Sequence, residues 1–246
     1  MRRIIERIEK YNATGNTFIV VDCAYNVVSD EEKREIVLKN CENRDGALFV
    51  EKRQGMFHMD YFNRDGKRAS FCGNGFRTFA AYLRDFYGIL GEVQISTNAG
   101  VLKAIIDSTI NAQMPHTKYV REVFFENFHG VLMETGVPHL VFNVDDVERV
   151  EMDKIAPKLR WQYDTNVDFF EVLGERSLKV RTYERGVEAE TLSCGSGITT
   201  VAYFYKYYTL KDPILPDKIN ITARGGNLSV FFTPNEIYLE GDVVHE

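Results

Sequence analysis

Two short segments of this 246-residue chain combine residue types that can do chemistry: Cys72-Gly73-Asn74-Gly75 and Cys194-Gly195-Ser196-Gly197. Each is followed by a run of helix-forming and apolar residues, so each places a cysteine and two glycines where a helix begins. The first backbone N–H groups of a helix have no intrahelical partner, and glycine leaves them uncovered. With the helix dipole they make an anion site suited to a carboxylate. The same field favours thiolate over thiol. Two such sulfurs, one on each side of an amino acid's α-carbon, would remove a proton from one face and return one to the other. The substrate's own carboxylate, held by the N–H donors, would carry the negative charge that develops. Cys72 and Cys194 are therefore the candidate catalytic pair, and inversion of a stereocentre is the candidate reaction.

Other uses of these residues remain open at this level. A core cysteine is ordinarily a small buried hydrophobe, and that reading is kept for Cys23 and Cys41, which lack glycine neighbours. A redox pair is a second use of facing cysteines. Glycine-rich turns also cradle phosphate, but neither segment carries the lysine of a P-loop or a complete G-x-G-x-x-G. Nothing singles out a Schiff-base lysine, so a pyridoxal phosphate enzyme is disfavoured and no cofactor is expected. A non-catalytic amino-acid-binding protein is the remaining alternative.

The elements that position these segments repeat along the chain. The second Cys-Gly segment starts at 194 and the first at 72, an offset of 122 positions. Near that offset Phe18-Ile19-Val20-Val21 matches Leu140-Val141-Phe142-Asn143, and Phe62-Asn63-Arg64 matches Tyr183-Glu184-Arg185. A glycine-containing strand candidate follows each Cys segment, Ser96 to Ile106 and Thr222 to Phe232. Four matches in one order indicate duplication of one unit. The expected fold is α+β with two pseudo-symmetric halves, residues 1–115 carrying Cys72 and 116–246 carrying Cys194. Each half would be a β-sheet or barrel wrapped around a central helix, with the active site in the cleft between them. Strands are expected at Thr17 to Asp22, Ala47 to Glu51, Phe57 to Phe62, Val131 to Glu134 and Leu178 to Tyr183, from their β-branched and aromatic content. Helices are expected over Thr78 to Tyr87, stopped by Gly88, and over Thr199 to Tyr208, stopped by Lys211-Asp212-Pro213. A third is expected from Asp30 to Cys41 with Ser29 or Asp30 as its cap.

Bulk properties narrow the partners. A net charge of −6 argues against nucleic acid or an anionic membrane surface. Five histidines without His-x-x-His or Cys-x-x-Cys spacing argue against a structural zinc site, so no metal is expected. No apolar run approaches the roughly 18 residues of a membrane span, and the charged N-terminus lacks a signal peptide's apolar stretch. A cytoplasmic setting with free thiols follows as the expectation.

Taken together, these segments resemble the diaminopimelate epimerase family. Thr14-Gly15-Asn16-Thr17-Phe18 is similar to the family's Gly-Asn-Asp-Phe opening, and Phe62-Asn63-Arg64-Asp65-Gly66 to its Phe-Asn-x-Asp-Gly. Cys72-Gly73-Asn74-Gly75 with Arg77, Pro138-His139, Asn166, Tyr183-Glu184-Arg185-Gly186, Glu190-Thr191 and Cys194-Gly195-Ser196-Gly197 follow in order. The resemblance implies cofactor-independent epimerisation of LL-diaminopimelate to the meso form, in lysine and cell-wall precursor biosynthesis. It implies His139 and Glu184 beside the reacting centre. Gly73, Asn74, Gly195 and Ser196 would hold the reacting carboxylate, and Asn16, Asn63, Asn166 and Arg185 the rest of the substrate. A homodimer is implied as well.

The chain departs from the family pattern at four places. Val137 and Gly46 stand where Asn and Gln are usual, Gly186 to Thr191 is one residue longer, and the chain stops at His245-Glu246, short of the usual last strand. The first two remove polar contacts from the far end of the substrate, so a related two-cysteine racemase for lysine, ornithine or a proline-type substrate is the alternative.

Overall fold

The computed structural model describes residues 5–212, 214 and 217–246. The chain forms two compact units, Met1–Gln113 with Gly241–Glu246, and Met114–Glu240. In the first, β1 (Arg7–Ala13), β2 (Asn16–Asp22), α1 (Asp30–Asn40), β3 (Gly46–Arg53), β4 (Met56–Asn63), β5 (Arg68–Ala69), α2 (Gly73–Tyr87), β6 (Gly91–Thr97), β7 (Gly100–Ile106) and β8 (Ile110–Met114) follow in order. β2 and β3 run parallel, from Phe18 opposite Gly46 to Asp22 opposite Val50, with α1 as the crossover. β3 and β4 are antiparallel, and β4 then runs parallel to β6 with α2 as the second crossover. Ser29 caps α1 through a reciprocal bond with Glu32.

α2 is the centre of this unit. Every residue from Gly73 to Leu83 is buried, and the helix packs on β1, β2, β3, β4 and β7. Gly88 ends it with φ 65°, a left-handed conformation in which glycine pays no steric penalty. The helix thus begins at the Cys-Gly segment itself, earlier than the Thr78 expected from helix formers, because tertiary burial overrides the low helix propensity of Gly73 and Gly75.

The second unit repeats the plan with β9 (Thr117–Phe125), β10 (Phe128–Thr135), β11 (Pro138–Asn143), α3 (Met152–Tyr163), β12 (Asn166–Gly174), β13 (Ser177–Glu184), β14 (Ala189–Thr191), α4 (Gly195–Phe204), β15 (Lys218–Ala223), β16 (Gly226–Phe232) and β17 (Ile237–Gly241). β11 and β12 are parallel across α3, and β13 and β15 are parallel across α4. α4 packs on β9 to β13 and on β15 and β16. It continues into a wider π-type turn, Tyr205–Leu210, and ends at Lys211 in a left-handed conformation. Pro213, part of the expected stop signal, lies outside the described residues, as do Met1–Ile4.

Three features that the sequence reading did not give have physical reasons. The glycine-containing segments after each Cys segment are hairpins rather than single strands: Gly100 and Gly226, with φ 118° and 136°, sit at the turns between β6 and β7 and between β15 and β16. α3 carries Pro157 in its interior, a residue that reads as a helix breaker. Met152, Ala156 and Leu159 hold it against Leu140, Phe142, Val167, Phe169 and Tyr183. Finally, Gly241–Glu246 belong with the first unit, because β18 (Val243–His245) pairs antiparallel with β1.

Cys23 and Cys41 lie in an apolar cluster with Ile19, Val37, Phe49 and Phe62. Burial pushes their thiols up, to about 12 and about 11. A second buried feature is ionic. Asp60, fully buried on β4, accepts from Lys33 Nζ at 2.7 Å, from Arg68 Nε at 2.8 Å and from Asn98 at 3.0 Å. Burial alone would raise its pKa, but these donors outweigh it and hold Asp60 at about 2. Its contribution to stability is therefore complete above the ordinary carboxylate range, roughly pH 4, and is lost as pH falls toward about 2. Lys33→Met, which removes one of the two cations paired with a buried carboxylate, should lower the unfolding free energy by about 3 kcal/mol in urea titrations at neutral pH. A loss under about 1 kcal/mol would mean that Arg68 and Asn98 suffice.

Candidate active site

In the first unit Cys72 is the N-cap of α2, with extended backbone at φ −145° and ψ 118°. Its sulfur does the work usually done by a serine or aspartate oxygen: the Gly75 N–H donates to Sγ at 3.3 Å. The Cys72 thiol faces Asn16 Oδ1 at 3.8 Å, and Asn74 Nδ2 donates to the same oxygen at 3.4 Å. Asn16 stands at the start of β2, where its Nδ2 donates to Asp45 Oδ2 at 2.9 Å. Asp45 also accepts from the Thr17 amide and hydroxyl, so the carboxamide of Asn16 is held with its oxygen toward Cys72.

Behind this cluster Arg77 is fully buried. It donates to Asn74 Oδ1 at 2.7 Å, to Thr14 Oγ1 at 3.2 Å and to the Asp242 carbonyl at 3.2 Å. Among the described residues it makes no ion pair. Burial lowers its pKa to about 10, and the Cys72 sulfur and Asp242 act in the opposite direction. Asn63, also expected at the site, is exposed at the end of β4, where its backbone closes the turn to Lys67.

In the second unit Cys194 caps α4 and is buried. Its sulfur lies 3.5 Å from Ser196 Oγ. Ser196 Oγ is 2.9 Å from His139 Nε2, and His139 Nδ1 is 2.7 Å from Asp168 Oδ2. The other oxygen of Asp168 accepts from Thr182 Oγ1 at 2.7 Å. His139 and Asp168 are both fully buried, on the adjacent strands β11 and β12. Burial raises the Cys194 thiol well above its ordinary range, and the carboxylates of Glu184 and Asp168 push it further. The neighbouring Ser196 hydroxyl and the Gly197 backbone act in the opposite direction.

The remaining predicted residues of this unit gather at the same ends of their strands. Asn166 begins β12 in register with His139, donates to the Pro138 carbonyl at 3.0 Å and accepts from the Arg185 N–H at 2.9 Å. Glu184, at the end of β13, accepts from Thr191 Oγ1 at 2.6 Å. The Arg185 guanidinium reaches the carbonyl and carboxylate of Asp164 at 3.0 and 3.1 Å. Gly195 and Ser196 form the first turn of α4, where Thr199 and Thr200 donate back to their carbonyls.

Comparison with known proteins is decisive. The family model described as diaminopimelate epimerase matches residues 8–119 and 131–246. The diaminopimelate epimerase of Thermotoga maritima is 40% identical over 235 residues, covering 95% of this chain and 97% of that protein. That of Methanocella arvoryzae is 35% identical, covering 96% and 92%. The chain belongs to the diaminopimelate epimerase family. Solved structures show how widely the fold is shared. A phenazine biosynthesis protein of the PhzF family from Bacillus anthracis matches with TM-score 0.80 at 17% identity, over 97% of this chain and 96% of that one. A hydroxyproline epimerase from Agrobacterium vitis matches with TM-score 0.69 at 11% identity, over 100% and 91%.

Against the family pattern, Gly46 has a packing reason. A side chain there would start 2.6 Å from the Phe62 carbonyl and 2.7 Å from the ring of Tyr61, so Tyr61 fills the place of a side chain at 46. The longer segment after Gly186 is a turn with Gly186 and Glu188 at positive φ, closed by the Glu188 N–H on the Glu184 carbonyl at 2.8 Å.

Sequence reasoning passed over Asp168, Asp45 and Arg77 as contributors. The signal for Asp168 was present: an acid inside Asn166-Val167-Asp168-Phe169-Phe170, a strand otherwise apolar after its first residue. The glycine above it is equally particular. A Cβ on Gly197 would sit 2.3 Å from Asp168 Oδ1, whereas one on Gly75 would meet Leu48 Cδ2 at 3.1 Å. Gly197→Ala should therefore displace Asp168 and lower stability by about 1–3 kcal/mol. Gly75→Ala, where a leucine methyl yields and alanine favours the helix, should stay within about 1 kcal/mol of the parent. Thermal unfolding of both variants tests the difference, and equal losses would count against it.

Proposed function

We propose that this chain epimerises LL-diaminopimelate to meso-diaminopimelate, with Cys72 and Cys194 as its two proton carriers and no cofactor. The observation that carries the reading is the unlike polarisation of two like sulfurs. A thiolate at Cys72 meets an N–H donor and the field of a buried guanidinium, whereas one at Cys194 meets two carboxylates in a buried setting. In this reading Cys72 enters the reaction of the LL substrate as thiolate and Cys194 as thiol. Cys72 takes the α-proton, Cys194 delivers its own to the opposite face, and the roles exchange for the reverse reaction.

Between the two transfers the α-carbon carries a carbanion whose charge passes into the substrate carboxylate. Backbone N–H groups at Gly73-Asn74 and Gly195-Ser196, fixed by the helices before substrate arrives, are the assigned donors. Asn16, Asn63 and Asn166 bind the rest of the substrate in this reading. Arg185 takes the distal carboxylate in a bidentate pair, which replaces its contact with the exposed Asp164. His139 and Glu184 orient the sulfur and amine at the second helix start.

The proline-type alternative loses support. The relatives at 32–40% identity are named diaminopimelate epimerases, whereas the hydroxyproline epimerase shares the fold at 11% identity. No helix among the described residues is long and apolar enough to cross a membrane. A cytoplasmic setting and a homodimer belong to the same proposal.

Incubation of the purified protein with LL-diaminopimelate in D₂O should yield the meso form carrying deuterium at the inverted carbon. Cys72→Ala and Cys194→Ala should each reduce this by at least about a hundredfold, since each face then lacks its proton carrier. Full activity in either variant would end the two-cysteine assignment.

A further inference from the structure

In the reaction just described the buried carboxylate of Asp168 enters only as a charge that disfavours a thiolate at Cys194. Both of its oxygens are accounted for, one by Thr182 Oγ1 and one by His139 Nδ1, and among the described residues its only titratable partner is that histidine. The fold does not demand an acid in this place. Under Gly75, the second glycine of the first unit's Cys-Gly-x-Gly, the corresponding contact is an apolar one, Leu48 Cδ2, whereas under Gly197 it is Asp168 Oδ1. Burying a carboxylate is far more costly than burying a leucine, so the second unit carries a costly group where the first shows that an apolar one packs.

The hydrogen bonds give this group a direction. An ionised Asp168 only accepts, so His139 Nδ1 carries the proton of that bond and a neutral His139 presents a lone pair at Nε2. Ser196 then donates its hydroxyl to Nε2, and its oxygen is left to accept from the Cys194 thiol at 3.5 Å. Every donor in the row points away from the sulfur and toward Asp168.

We propose that Asp168 is a positioning residue that lets Cys194 act as a base, by holding His139 and Ser196 as a proton relay out of the Cys194 thiol. In the step, the Cys194 S–H bond breaks and its proton binds Ser196 Oγ. The Ser196 O–H bond breaks at the same time and its proton binds His139 Nε2. The products are a thiolate at Cys194, a neutral Ser196 and an imidazolium held by the Asp168 carboxylate, so one proton has moved and net charge is unchanged. Run backwards, the row returns the proton and restores the acid form. The inference rests on the reading that Cys194 alternates between thiol and thiolate. It supplies what the surroundings of Cys194 otherwise lack: Glu184 and Asp168 both oppose a thiolate there, and a cation formed at His139 in the same event offsets them.

The test exploits a difference in sign. If Asp168 acted only as a nearby negative charge, Asp168→Asn would remove repulsion and make Cys194 more reactive. If it holds the relay, the asparagine amide donates to Nδ1, His139 turns its Nε2–H toward Ser196, and the row no longer accepts the sulfur's proton. Alkylation of Cys194 by iodoacetamide at pH 7.5, read by peptide mass spectrometry in a Cys72→Ala background, should slow at least tenfold in Asp168→Asn. Ser196→Ala, which leaves every charge in place, should slow it comparably, and it decides the matter alone if Asp168→Asn does not fold. In the protein with both cysteines, Asp168→Asn should lower kcat by about a hundredfold or more with KM little changed, in line with the orienting aspartate of hydrolase triads. Alkylation as fast as or faster than in the parent, in folded Ser196→Ala, overturns the relay. Absence of α-deuterium incorporation by the unsubstituted protein would instead sink the epimerase reading and leave the alkylation result standing.

Discussion

The site depends on the unfilled first turn of a buried helix. α2 and α4 each begin among largely buried residues, and the cost of an unpaired buried donor is comparable to a lost hydrogen bond. In α2 a cysteine sulfur takes one of those donors. The neighbouring glycines keep side chains away from the others. In the proposed reaction a capping requirement, a site for a substrate carboxylate and a reactive thiol are thereby met by the same few atoms. The strands wrapped around each helix exist, for this purpose, to keep that turn in place.

Duplication supplied two such turns, and divergence of their surroundings made them unequal. The first is backed by a leucine and a buried arginine, the second by an aspartate, a histidine and a serine. A reaction that removes a proton from one face and adds one to the other needs two groups of nearly equal intrinsic basicity in opposite protonation states. In the proposed reaction two cysteines provide the equality, and the differing second rows of residues provide the opposition. The crossover helices α1 and α3 and the parallel pairs they join set the strand registers that bring Asn16 to Asp45 and His139 to Asn166 and Asp168.

Helices and strands were read most accurately where local and global preferences agree. The expected strands at 17–22, 47–51, 57–62, 131–134 and 178–183 all fall inside observed ones, because most of their β-branched and aromatic residues are also buried in the core. Reading failed where the two preferences conflict. Gly100 and Gly226, read as parts of single strands, sit at hairpin turns, and α3, for which no helix was expected, is held by packing despite Pro157 in its interior. The last six residues return to β1, a long-range pairing that no local pattern announces.

The sequence by itself determined the chemistry and its repetition. Cysteine beside paired glycines, written twice at one offset, is a local pattern, and the nucleophilicity of a thiol at a helix start follows from groups a few residues away. The neighbours of those thiols were decided by tertiary structure alone. Asp45, Arg77, Asp168 and Thr182 reach the site from separate strands and turns, and a charged side chain's effect depends on distance and burial rather than on its place in the chain. For that reason the candidate pair was legible in one dimension, and the unlike surroundings of its two members were not.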